Sequence, residues 1–346
     1  MILLPVATAL FGRGGGHGPQ AAFASAPAGD YAVIVQGDDD VVDIVQAVNA
    51  ATGEVFELAR IPHVPGYTSF AAVSPDGRRL ALVAADSGPK ASPAAGLLFV
   101  DLESGLTTRV VEGIDQLQQP LWAADSRAAI VTQTTPSTSG IATVRFLRAE
   151  LAQPGLRTIG SVLASGAYPV GFDAEGRLLA IAIDNEGSRL LRDFAPLMTL
   201  SPGATRDWKL SPDAKALAYI EVLSDGGVQY VPRIVDLTDG AKGAVSGQTA
   251  AQPVQGLGVA WEPATLSPVF GFERGKNPAG VSAQAATSET GFDIPLAFSA
   301  GGQWLAVQHW SGSDFALPGE FAIELHSANG TLTLGSASRF YGWARR

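Results

Sequence analysis

The chain has no cysteine. That excludes disulfides, thiol nucleophiles and cysteinyl metal sites. Basic residues are scarce: 23 Lys and Arg stand against 33 Asp and Glu, a formal net charge of −10 over 346 residues. No run of Lys or Arg occurs, and phosphate backbones demand a basic surface, so the composition argues against nucleic-acid binding. Histidine is rare too. His17, His63, His309 and His326 follow no spacing that marks a zinc or bis-histidine haem site. The serine-hydrolase elbow Gly-x-Ser-x-Gly is missing. Gly14-Gly15-Gly16 and Ser224-Asp225-Gly226-Gly227 lack the strand–loop–helix setting of a phosphate loop. The N-terminal apolar stretch, Ile2 to Phe11, is too short to span a bilayer.

What the chain does have is a repeated phrase. An aromatic or aliphatic residue meets a polar turn, and an apolar run follows. The clearest copies are Val73-Ser74-Pro75-Asp76-Gly77 with Leu80 to Val83, and Leu210-Ser211-Pro212-Asp213-Ala214 with Leu217 to Ile220. Weaker copies start at Trp122, Phe172, Trp261 and Phe298, and Trp343 begins one that the chain does not complete. These markers are spaced by 49, 50, 38, 51, 37 and 45 residues, a mean of 45. Short apolar runs bounded by Pro, Asp and Gly read as buried strands rather than helices. A period of roughly 40–50 residues built from such strands is the signature of a β-propeller.

The ends fit the same frame. Trp343 has no second strand after it, while Ala28 to Val35 looks like a turn and second strand with no first. The sequence therefore predicts an all-β fold, a seven-bladed propeller of four-stranded antiparallel blades. Its ring would be closed by the C-terminal strand, around Phe340 to Ala344, pairing with the N-terminal blade near Tyr31 to Val35. Such closure hides strand edges. Hairpin turns recur at Asn49 to Gly53, Glu103-Ser104-Gly105, Leu237 to Gly240 and Ser327 to Gly330, with Gly where positive φ is needed. The fourth and sixth blades are short, and the third strand of the sixth, Ala279 to Thr290, is weak.

The Ser-Pro-Asp turns at Ser74 and Ser211 resemble those of TolB-like and WD40-like (PD40-type) bacterial propellers, from about Ala28 to Trp343. The resemblance implies the fold and leaves function open, since the motif is a turn. TolB carries an extra N-terminal α/β domain for which this chain has no room, and the Trp-Asp ending of eukaryotic WD40 blades is absent.

Residues 1–27 stand outside the repeat and read as an apolar, Gly-rich arm or an export-signal remnant, with 28–346 a single propeller. Ala22-Phe23-Ala24 is compatible with signal cleavage before Ser25, although no Lys or Arg precedes the apolar stretch. An extracytoplasmic location, periplasmic or secreted, is the expectation. The alternative is an arm that packs on the propeller or a partner.

Candidate sites follow from the loops of a rigid ring. Loops after the second strands carry Asp38, Asp39, Asp40, Asp86, Asp184, Glu186, Asp225 and Asp314. Together these would give one face a negative field able to attract a basic protein or peptide partner, or a divalent cation. Asp is also simply a good loop residue. Loops before the inner strands carry His63, Tyr67, Gln118, Gln119, Tyr168, Arg206, Asp207, Gln255, Asp293 and Tyr341. These could line the channel mouth and bind a ligand, or merely pack blade against blade. Trp122, Trp261 and Trp343 share the marker position, which argues for inter-blade packing before a ligand cage. The reading is a non-catalytic binding or scaffold propeller without a cofactor. Its rivals are a metal-dependent hydrolase, lactonase or lyase on the same ring, and an assembly component that inserts its N-terminal arm in a neighbour.

Overall fold

A computed structural model describes residues 23–39, 41–87, 94–137, 140–152, 155–224, 227–238, 242–244, 255–273, 291–335 and 338–346. Among the described residues the regular elements are strands, apart from one 3-10 turn, Phe23–Ser25. They form six four-stranded antiparallel sheets and one two-stranded sheet.

Blade 1 orders Ser338–Arg345, Asp30–Asp39, Val42–Asn49 and Val55–Pro62. Blade 2 is Phe70–Val73, Arg79–Ser87, Ala94–Asp101 and Thr107–Ile114. Blade 3 is Leu121–Trp122, Ala128–Thr135, Ala142–Glu150 and Leu156–Ala164. Blade 4 is Gly166–Phe172, Leu178–Asp184, Gly187–Arg192 and Ala195–Ser201. Blade 5 is Thr205–Leu210, Ala216–Leu223, Gln229–Asp236 and Lys242–Ala244. A short sheet follows, Gly256–Glu262 with Ser267–Phe272. The last blade is Phe292–Phe298, Leu305–Trp310, Phe321–Ser327 and Gly330–Gly335.

The blade count expected from the sequence is thereby corrected. Six blades of four strands stand where seven were expected, and a two-stranded sheet lies between the fifth and the last. Closure through seven equal blades is not what is found. At the chain ends the structure shows an antiparallel pairing of Ser338–Arg345 with Asp30–Asp39, with Tyr31 opposite Ala344 and a register shift between Val33 and Ile34. Composition sets the sequence that follows the short sheet apart. The stretch 274–290 holds one large aliphatic residue, Val281, whereas the third strand of blade 2 offers Leu97-Leu98-Phe99-Val100. Apolar burial is what holds such a strand in place. The expected third strand Ala279 to Thr290 lies outside the described residues.

The polar turns are locally built. Ser74 Oγ donates to Asp76 Oδ1 at 2.5 Å and accepts from Arg79 N at 3.0 Å. Ser211 repeats this with Asp213 at 2.7 Å and Ala216 N at 2.9 Å. The residue four positions after the marker has positive φ in Gly77 (72°), Ser126 (58°), Gly176 (77°), Ala214 (58°) and Gly302 (71°). After Trp261 the turn is one residue longer and Leu266 takes φ 53°. The repeat thus persists in the backbone where its residues have diverged.

Apolar clusters join successive sheets. One unites Val33, Val45 and Leu58 of blade 1 with Leu80, Leu82 and Val100 of blade 2. Another joins Ala32, Ile34 and Val48 of blade 1 to Ala306, Ile323 and Leu325 of the last blade. The marker tryptophans tie neighbouring inner strands by their indole N–H. Trp122 donates to Ala72 O at 2.8 Å, Trp261 to Lys209 O at 2.9 Å and Trp343 to Ala297 O at 3.2 Å. Phe23 is buried against Tyr31 and Phe56, with ring centroids 5.0 and 5.8 Å away.

Candidate functional site

The inner strands of blades 2 to 5 surround a cavity of about 420 Å³. Its wall includes Pro75, Gln118, Gln119, Tyr168, Trp208 and Lys209. Blades 2 and 5 are not neighbours, so a cavity touching both lies on the central channel. Tyr168 and Trp208 stack with centroids 5.1 Å apart and planes tilted by 30°. Trp208 spends its indole N–H on Thr205 Oγ1 at 2.8 Å. Neither Tyr168 Oη nor Lys209 Nζ makes a hydrogen bond to the described residues. Lys209 is exposed, yet the surrounding channel atoms press its pKa below the ordinary lysine value, against the opposing charge of Asp207.

Three of the residues expected at the channel mouth arrive there: Gln118, Gln119 and Tyr168. The two glutamines are partly committed. Gln119 Nε2 donates to Ala71 O at 2.7 Å, and Gln118 bridges Thr132 Oγ1 and Ala167 O. Arg206 lies over the ring of Tyr230 at 5.2 Å and pairs with Asp207 at 2.9 Å. Asp207, with φ 55°, also accepts from Gly258 N at 3.0 Å, tying blade 5 to the short sheet. Gln255 donates to Val228 O at 3.0 Å, and Tyr67 N bonds Val64 O at 3.0 Å.

His63 and Tyr341 fall into a separate buried knot. Asp43 accepts from Ser69 N at 2.9 Å and Ser69 Oγ at 2.5 Å, and His63 Nε2 lies 3.7 Å from Asp43 Oδ1. Tyr341 donates to Ser69 O, and burial pushes its phenol up to about 12. Ser69 Oγ points at the carboxylate and not at the imidazole, so the knot is a tie between blades 1 and 2 and not a nucleophile with its base.

The acidic residues divide. Asp40 and Asp225 lie outside the described residues, as do the side chains of Asp38, Asp39 and Asp86. Asp184 pairs with Arg189, which also lies 3.8 Å from Glu186. Asp314 caps its own loop, accepting from Ala316 N at 2.8 Å and Leu317 N at 3.0 Å. Where their surroundings are described, these carboxylates serve local structure.

Asp293 stands apart from the channel group. Its side chain is fully buried, and His309 Nδ1 lies 2.7 Å from its Oδ1. His326 lies between Asp293 Oδ2, 3.8 Å from its Nδ1, and Glu324 Oε2, 3.0 Å from its Nε2. Burial pushes the Asp293 carboxyl up, outweighing the hydrogen bond and charge of His309 and the charge of His326. Glu324 is less deeply placed. Burial pushes it up as well, but the bond to His326 and the two imidazole charges prevail and hold it below its ordinary value. Among the described residues Asp293, Glu324 and His326 are the set whose ligand atoms lie close enough to hold a metal ion, all within 4.8 Å of one another.

Sequence reasoning did not single out Trp208, Lys209 or Glu324, and it set His309 and His326 aside for want of a metal-site spacing. Glu324 and His326 alternate on one strand and so share a face, a signal that was available. The pairing of Asp293 with His309 needed the hairpin register.

No family model matches the sequence, and no curated protein matches it in sequence. Solved structures do match. TolB from Acinetobacter baumannii is similar at 12% identity with a TM-score of 0.55, over 91% of this chain and 66% of that one. This chain thus spans less than two thirds of that TolB's length. The periplasmic gluconolactonase PpgL of Pseudomonas aeruginosa is similar at 15% identity with a TM-score of 0.53, over 90% of this chain and 99% of that one. A putative TolB from Agrobacterium tumefaciens follows at 12% identity and a TM-score of 0.47, over 93% and 99%. At such identities the likeness is one of fold: the chain has a TolB-like β-propeller fold. Among the described residues no helix is long and apolar enough to cross a membrane.

Proposed function

We propose that the chain is a binding propeller of the WD40-like bacterial kind that works outside the cytoplasm. It takes up a peptide, or a side chain of a protein partner, in the channel cavity. The observation that carries this reading is the meeting of Tyr168, Trp208 and Lys209 in one cavity of about 420 Å³. A stacked aromatic pair offers a flat apolar wall. An ammonium and a phenol with free hydrogen-bonding capacity offer recognition of an anion. A carboxylate bound there would favour the charged form of Lys209, opposing the downward shift of its pKa. The ligand chemistry that fits is a carboxylate carried on an apolar or planar group, as at a peptide C-terminus. The extracytoplasmic part rests on the apolar N-terminal stretch and on the fold shared with TolB and a periplasmic lactonase.

The test uses short peptides with an apolar last residue, in free-acid and amidated forms, followed by titration calorimetry and tryptophan fluorescence. Free acids should bind and amides should bind at least tenfold more weakly, by the 1.4 kcal/mol of one charge-assisted bond. Lys209→Met and Trp208→Leu should each remove binding while leaving the melting temperature near that of the parent. Equal binding of acid and amide, or binding unchanged in both variants, would overturn the channel as the site.

A further inference from the structure

The last blade has two unlike faces. Ala306, Ile323, Leu325 and Leu334 point to blade 1. Leu305 and Val307 point the other way and pack on Ala260 of the short sheet. Strand register places the polar cluster on this second face. Asp293 is opposite His309, Glu324 opposite Val307, His326 opposite Leu305, and Thr333 opposite Glu324. Paired residues point to the same side, and so do alternate residues along a strand. Four ionisable side chains are therefore gathered on one face beside an apolar contact, at a place unrelated to the channel.

Three of the four carboxylate oxygens are held, Glu324 Oε2 by His326 Nε2 at 3.0 Å, and one is left. Asp293 Oδ1 is taken by His309 at 2.7 Å, and Glu324 Oε1 by Thr333 Oγ1 at 3.2 Å. The second oxygens, Asp293 Oδ2 and Glu324 Oε2, are the ones nearest His326. Asp293 Oδ2 is buried and finds no hydrogen bond among the described residues. The 3.8 Å to His326 Nδ1 is too long to be one. A buried carboxylate oxygen without a partner is a costly arrangement, and a fold keeps one where something else satisfies it.

We propose that Asp293 Oδ2, a Glu324 carboxylate oxygen and one ring nitrogen of His326 are the ligands of a divalent transition-metal ion. Three donor atoms within 4.8 Å of one another reach a single ion by closing to about 3.3 Å, the spacing set by bonds of about 2.0–2.1 Å at tetrahedral angles. One imidazole with two carboxylates suits Zn²⁺ or Mn²⁺ better than a purely oxygen-loving ion. Two carboxylates also neutralise a dication, so the filled site carries no net charge into the blade interface. His309 and Thr333 are positioning residues, each fixing the carboxylate whose other oxygen would ligate. The side chains of Glu324 and His326 are 17% and 18% exposed, which leaves a route of entry and an open coordination position. The site owes nothing to the channel reading and stands if that reading fails.

The experiment titrates Zn²⁺, then Mn²⁺, into the full chain after chelator treatment, read by calorimetry and by melting temperature. One ion per chain should bind at neutral pH and raise the melting temperature, and the chelator should reverse both. Glu324→Gln and His326→Ala should abolish binding. His309→Ala should weaken it about 10–100-fold through loss of orientation, and His63→Gln, which removes a distant imidazole, should leave it unchanged. Failure of the parent protein to bind either ion at millimolar concentration overturns the proposal. So does undiminished binding in folded Glu324→Gln and His326→Ala. If those variants do not fold, Co²⁺ absorption of the parent protein decides. A saturable visible band of four- or five-coordinate Co²⁺ supports the site, and the weak spectrum of the aqua ion refutes it.

Discussion

Replacing glycine by alanine at three turns of similar backbone but different surroundings measures how tightly the blades meet. Gly176, Gly77 and Gly105 have φ of 77°, 72° and 70°. A side chain in this left-handed region costs about 1–2 kcal/mol, and loss of glycine's freedom in the unfolded chain returns about 0.4–1 kcal/mol. Gly176 has nothing within 4 Å of where a Cβ would stand, so Gly176→Ala should destabilise by about 1 kcal/mol. At Gly77 the Cβ would lie 3.0 Å from Arg345 N, on the C-terminal strand. At Gly105 it would lie 2.5 Å from Leu58 O, a backbone atom of blade 1. Carbon–oxygen contacts normally stop near 3.3 Å, so blades 1 and 2 must part by several tenths of an ångström. Overpacking of that kind adds about 1–3 kcal/mol. Gly105→Ala should therefore lose about 2–4 kcal/mol, with Gly77→Ala between the extremes. Ala214 already bears the strain at φ 58°, so Ala214→Gly should be neutral or stabilising by up to about 1 kcal/mol. Urea unfolding followed by fluorescence, with midpoints compared at constant slope, gives the four values. Equal losses at Gly176 and Gly105 would refute the close approach of blades 1 and 2, and a clear loss at Ala214→Gly would refute the turn geometry.

Two further outcomes follow. Burial pushes Asp173 up, but bonds from Arg177 and the charges of Arg177 and Arg192 outweigh it and hold it below its ordinary 3.8. A depressed folded value means its stabilisation is complete above the unfolded pKa and fades as pH falls below it. The stability difference between the parent and Asp173→Asn should then be constant above about pH 5 and shrink below about pH 4; a difference that grows on acidification would contradict the sign. Phe23→Ala should cost about 3 kcal/mol as a cavity among Tyr31 and Phe56. A chain beginning at Ser25 should lose a similar amount, and an unchanged melting temperature would show that Phe23 adds nothing to the core.

How much of the candidate sites was legible depended on how many strands had to be aligned first. Gln118 and Gln119, in the loop before an inner strand, and Tyr168, inside one, line the cavity. Trp208 and Lys209 lie inside an inner strand, where the turn pattern says nothing about which side chains face the channel. The acidic loops were legible as loops. Whether a carboxylate is free or paired depends on neighbours such as Arg189, which no spacing rule supplies.

By itself the sequence determined what is governed locally. Turn chemistry at Ser74 and Ser211, positive φ four residues past five of the markers and the buried apolar runs depend on a few adjacent residues, and so they survive as a period of about 45 residues and spell out an all-β propeller. Tertiary structure alone decided the number of complete blades among the described residues, because a strand is ordered only where a neighbouring sheet repays its ordering with apolar burial. It also decided that Asp293 would meet His309, Glu324 and His326. Residues up to 33 positions apart become neighbours only through the register of three strands, and a slip of one residue would send each side chain to the opposite face.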